Sequence, residues 1–84
     1  MQLYFLEICG NGFAYHSGTM INVNVQADTS ETCSDECLKN EDCAFWDYED
    51  SAGICRLRSN AGNGKETASG YSYGEKNCNI GKSE

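Results

Sequence analysis

The chain has 84 residues, six of them cysteine and none proline, with a formal net charge of −7. That length is room for one domain, whose core offsets the entropy of folding only marginally. An even number of cysteines in so short a chain therefore points to disulfide staples made in an oxidising compartment. Residues 28–50 hold nine acidic side chains and one lysine, a block that repels nucleic-acid phosphates and heparin-like sulfated glycans.

At the start of the chain, Leu3-Tyr4-Phe5-Leu6 has no basic residue before it and ends at Glu7. It is too short for a secretory h-region, and no stretch is long enough to insert in a membrane. An oxidised module without its own leader is expected to be a piece of a longer secreted protein. Further on, residues 20–26 alternate Met20, Asn22, Asn24 and Gln26 against Ile21, Val23 and Val25, the pattern of a half-buried strand. Asp28 or Ser30 then caps a helix that runs to about Lys39, with Asn40 as its stop.

Cys33 and Cys37, four residues apart, share one helix face with Leu38 close to the same stripe, so both sulfurs are expected to face the core. Ala44, Trp46 and Tyr48 alternate with Phe45 and Asp47, and the run from Ile54 to Leu57 follows an Asp50-Ser51-Ala52-Gly53 turn; this is a hairpin. Trp46 and Tyr48 are expected on its face under the helix. Residues 59–74 are rich in Gly, Ser and Asn and predict a long loop leading to a last short strand, on which Tyr71 and Tyr73 alternate with one buried face.

Neither metal nor catalytic chemistry is suggested. The cysteine spacings contain no Cys-x-x-Cys pair, and His16, the single histidine, has no cysteine at ligand spacing, so no zinc, iron–sulfur cluster or other cofactor is expected. One histidine and no carboxylate pair of defined geometry give no basis for an enzyme. A sugar site needs an aromatic face with polar groups beside it, which Tyr15, His16, Tyr71, Tyr73 and Lys76 supply. Docking of a basic protein would fall to the acidic residues Asp35, Glu36, Glu41 and Asp42, or to the loop at 60–67.

Taken in order, Cys9, Phe13-Ala14-Tyr15, Ser30-Glu31-Thr32-Cys33-Ser34-Asp35-Glu36-Cys37, Cys43-Ala44-Phe45-Trp46-Asp47-Tyr48, Cys55-Arg56-Leu57, Ser69-Gly70 and Lys76-Asn77-Cys78 resemble the PAN/apple domain. The resemblance implies an α+β fold in which one helix packs on a curved antiparallel sheet. It divides the chain into an N-terminal extension at 1–7, the module at 8–79 and a tail at 80–84. The cysteines alone allow 15 pairings; the resemblance implies Cys33 with Cys55, Cys37 with Cys43, and Cys9 with Cys78.

The run from Ser69 to Cys78 is most similar to the apple modules repeated in apicomplexan microneme adhesins. By that likeness the chain is expected to be an extracellular adhesion module, released through micronemes, one of several tandem copies, binding protein on host-cell or partner-adhesin surfaces. The alternative is a galactose-type lectin module.

Overall fold

The computed structural model describes residues 9–21 and 25–78. Five strands and one helix follow in the order β1 (Cys9–Ala14), β2 (Val25–Gln26), α1 (Ser30–Lys39), β3 (Phe45–Glu49), β4 (Ile54–Arg58) and β5 (Glu66–Glu75). All strand pairs are antiparallel, and the sheet order is β1-β5-β3-β4-β2. The helix packs on one face of this sheet, as expected.

The α1 start is set by Thr29, whose extended backbone lets its hydroxyl accept from the Thr32 amide at 3.1 Å. This corrects the expectation of Asp28 or Ser30: Ser30 is already helical, and a cap must stand one residue outside the helix. At the other end Asn40 caps, its amide donating to the Cys37 carbonyl at 3.1 Å. Cys33, Ser34 and Cys37 form the buried stripe. Leu38 does not belong to it and is 41% exposed, because one further residue turns the helix by ~100°.

The Cys33–Cys55 bridge ties the helix to β4, and Cys37–Cys43 ties it to the approach of β3. Cys9 and Cys78 are the remaining pair and lie near one another. Around the bridges, Trp46, Tyr48, Leu57 and Ala27 complete the core. Tyr48 meets its one polar obligation by donating to the Ala27 carbonyl at 2.9 Å.

The strand predicted over 20–26 is seen at its two ends. Met20 bridges to Arg58, and Val25–Gln26 pairs with Cys55 and Ile54; residues 22–24, including Val23, lie outside the described residues. A larger correction concerns residues 59–74. They contain a loop only as far as Lys65, followed by a ten-residue strand, β5, placed between β1 and β3. Its two glycines have different causes: a Cβ on Gly74 would stand 2.6 Å from the Trp46 ring, whereas Gly70 has open space around it and a φ of +81°. A low apolar content thus hid an interior strand.

Candidate functional site

The register of β3 against β4 and β5 sorts side chains onto two faces. Trp46, Tyr48, Cys55, Leu57, Ser72 and Gly74 face the helix, so Phe45, Asp47, Glu49, Arg58, Tyr71, Tyr73 and Glu75 fall on the opposite face. That second face would ordinarily be solvated. Here it is covered in part by two loops, residues 15–19 and 59–65, and an aromatic cleft opens beneath them.

A buried ion pair fastens the first loop. Arg58 Nε donates to Asp47 Oδ2 at 2.8 Å with both side chains almost fully buried. The same carboxylate accepts from the Tyr15 amide at 2.9 Å, while Arg58 Nη1 donates to the Gly18 carbonyl at 2.8 Å. The second loop is bound to the first: Asn60 exchanges hydrogen bonds with Thr19, and the Asn63 amide donates to Ser17 Oγ at 2.7 Å. Gly62 lies so close to Ser17 that a Cβ there would collide with it at 2.4 Å.

Between loops and sheet lies a cavity of about 240 Å3 lined by Tyr15, Phe45, Ala61, Gly64, Lys65, Tyr73 and Glu75. The Tyr15 ring packs on Phe45 at 4.9 Å and edge-on to Tyr73 at 5.9 Å. Burial pushes the Tyr15 phenol pKa well above its ordinary value, and the negative charge of Glu75 adds to the shift. Lys65 Nζ donates to the Tyr73 hydroxyl at 3.1 Å and sits over the Phe13 and Tyr73 rings at 4.8 and 4.9 Å. The cleft therefore offers ring faces, one ammonium donor, a phenol and one carboxylate acceptor.

Of the sugar-site candidates, Tyr15 and Tyr73 come together at this cleft. His16 and Tyr71 form a separate edge-to-face pair with centroids 5.3 Å apart. Lys76 is not among the lining residues; its ammonium donates to the Cys37 carbonyl at 3.0 Å and to the Asn40 carbonyl. There it gives a second, cationic donor to carbonyls at the helix C-terminus that already accept the Asn40 and Cys43 amides. Phe13, Phe45 and Glu75 escaped the sequence reading as site residues, and Lys65 entered it only as part of the 60–67 docking loop. The signal for Phe45 was present, since a residue next to Trp46 in a strand must face the other way; nothing in the sequence links Lys65 to Tyr73.

The acidic candidates sit in the helix layer, across the sheet from the cleft. Asp35 and Glu36 are half-buried on α1, where Glu36 lies 3.6 Å from Lys39, and Glu41 and Asp42 are exposed in the following turn. The Asp42 amide is held by Asn40 Oδ1 at 2.9 Å. The acidic docking candidates thus lie across the sheet from the cleft, whereas the other docking candidate, the loop at 60–67, lines the cleft with Ala61, Gly64 and Lys65. Among the described residues no cluster of three metal-binding side chains occurs, and no helix is long and apolar enough to cross a membrane.

A model of the PAN domain matches residues 10–78. No curated protein matches the chain. PAN domains are protein- and carbohydrate-binding modules of adhesion proteins, and theirs is not an enzyme family. Their disulfide-bonded construction fits an extracellular domain.

Proposed function

The chain belongs to the PAN domain family, and we propose that it works as an extracellular adhesion module that holds a neutral carbohydrate in the aromatic cleft. The observation that carries this reading is the combination in one 240 Å3 cavity of the Tyr15, Phe45 and Tyr73 rings with Lys65 and Glu75. Ring faces suit the C–H side of a sugar. A carboxylate that only accepts and an ammonium that only donates suit its hydroxyls. The cavity is smaller than the ~300–1,000 Å3 of a drug-sized site, which matches one sugar unit. Its two charges cancel, and the −7 of the whole chain disfavours anionic glycans.

Sequence alone favours protein docking over sugar binding; the cleft supports the sugar reading. Protein docking through Asp35, Glu36, Glu41 and Asp42 is the second reading, supported by their common location in the helix layer. The two are separable because they use opposite sides of the sheet. On a glycan array, the isolated module is expected to bind neutral, galactose-terminated sugars. Lys65→Ala and Glu75→Gln should abolish the signal, and a Glu41→Gln/Asp42→Asn variant should keep it. An array without neutral glycan binding refutes the carbohydrate reading.

One shallow site of this size corresponds to weak binding, on the order of millimolar. Attachment to a host cell would then rest on several copies of the module on one chain, which raises avidity without new contacts. Tandem copies and release through micronemes belong to the proposal, as do module bounds of 8–79. Sequencing the flanking gene tests them; a single PAN module with no sister copy would remove the avidity argument.

A further inference from the structure

The sheet carries a second aromatic surface beside the cleft, and resting on the carbohydrate reading above, we infer that it is a second subsite. The His16–Tyr71 pair would stack the next residue of a glycan whose terminal unit occupies the cavity, so the ligand class is a neutral chain of at least two sugars. Tyr71 and Tyr73 lie two residues apart on the same face of β5, a spacing of ~6.8 Å at the rise of an antiparallel strand. Tyr15 and His16 are consecutive. Each wall of the cleft therefore continues directly into one member of the pair.

Three features separate this pair from ordinary packing. Tyr71 is only half-buried and His16 is exposed, so their rings are open to a ligand. Their contact is not needed to hold the loop, which is already fastened through Asp47, Arg58 and Asn60. The sheet is also opened at this point. Pairing of β1 with β5 jumps from Asn11↔Ser72 to Phe13↔Thr67, so four residues of β5, 68–71, stand against Gly12 alone. Gly70, at φ +81°, turns the chain just before Tyr71.

Polar groups are in place at the margin. Glu49 stands opposite Tyr71 in the β3–β5 register and is held by Arg56 at 3.2 Å, leaving carboxylate capacity for a sugar hydroxyl. The cavity itself has room for one unit, so any further unit must leave along an open side. The platform at Tyr71 and His16 is an open aromatic surface next to it.

The test is calorimetric titration of the single module with methyl β-galactoside and with lactose. An aromatic contact of ~0.5–1.5 kcal/mol predicts lactose binding about two- to tenfold tighter than the monosaccharide. His16→Ala and Tyr71→Ala should each remove that gain while leaving the affinity for methyl β-galactoside unchanged, and Tyr71→Phe should retain it. His16 is exposed, so its variant keeps the test valid if Tyr71→Ala fails to fold. Monosaccharide binding with no gain for lactose overturns the second subsite alone, as does an equal loss for both probes in the variants. Binding of neither probe overturns the galactose-type reading of the cleft and the subsite with it.

Discussion

Replacing Gly74 by alanine tests the interior of the fold at one atom. A Cβ at this position would stand 2.6 Å from Trp46 Cε2 and Cζ2 and 2.7 Å from its Nε1, and Trp46 is fully buried. The indole cannot tilt away without displacing the core around Cys33 and Cys37. Overpacking of this kind costs ~1–3 kcal/mol, offset by ~0.4–1 kcal/mol because alanine has less freedom in the unfolded chain than glycine. The net loss is about 0–2.6 kcal/mol, against a total of about 4–13 kcal/mol for a domain of this length. The control is Gly10→Ala in the neighbouring strand, where the added Cβ meets the Tyr73 side chain at 3.4 Å, an ordinary contact. Urea unfolding with disulfides intact, followed by the fluorescence of the single tryptophan, compares the two. A Gly74→Ala variant as stable as Gly10→Ala would refute the packing argument. A second check, followed by far-UV circular dichroism because it removes the tryptophan, is the double variant with Trp46→Leu, which deletes the three clashing atoms and should reduce the cost of the alanine by about 1 kcal/mol or more.

Asp47→Ala leaves Arg58 buried without its partner and should cost about 3–5 kcal/mol in the same urea assay, whereas adding Arg58→Leu should recover part of the loss; strict additivity would argue against the pair. Opening Cys33–Cys55 releases the longer loop, with a sequence separation of 22 against 6 for Cys37–Cys43, and the chain-entropy model gives about 3.4 against about 2.4 kcal/mol. Paired Cys→Ala variants should preserve that order of melting temperatures. Burial holds the Tyr15 phenol protonated in the folded protein while the unfolded chain ionises near pH ~10. This group's stabilisation is therefore complete below that pH and is lost above it. Tyr15→Phe should flatten the fall of the urea midpoint between pH 9 and 11, and an unchanged slope would assign the fall to other groups.

The framework was legible because disulfide spacing and strand alternation are local or periodic signals. Cys33 and Cys37 four residues apart fixed the inner face of α1, and Trp46 and Tyr48 fixed the inner face of the hairpin. Thr29 was missed because Asp28, Thr29 and Ser30 all have capping side chains, and only backbone geometry decides which one stands outside the first turn. Strand β5 was missed for a different reason. Gly70 and Gly74 signal a loop when the neighbours are unknown, yet Gly74 is glycine because Trp46 lies against it. The same limit hid half of the cleft: Lys65 reaches Tyr73 and Phe13 across the sheet, and no period in the sequence records that contact. Lys76 was misplaced by the converse error, since a cation near aromatics in sequence is drawn in space to the carbonyls at the C-terminal end of α1.

The division of the sheet into two faces explains how one small module can combine a fixed core with a changeable site. On the helix side, two disulfides and a buried tryptophan leave little room for substitution. On the other side, the rings of Phe45 and Tyr73 lie under loops 15–19 and 59–65, which depend on each other and on the Asp47–Arg58 pair. That pair is anchored on β3 and β4, the same strands whose alternate residues form the core. The loops are thus positioned by the core without contributing to it. Side chains at Ala61 and Lys65 can change the outline of the cleft while the disulfide framework stays as it is. In a family whose members bind different proteins and carbohydrates, this is the part of the fold in which physical constraint on sequence is weakest and contact with a ligand is most direct.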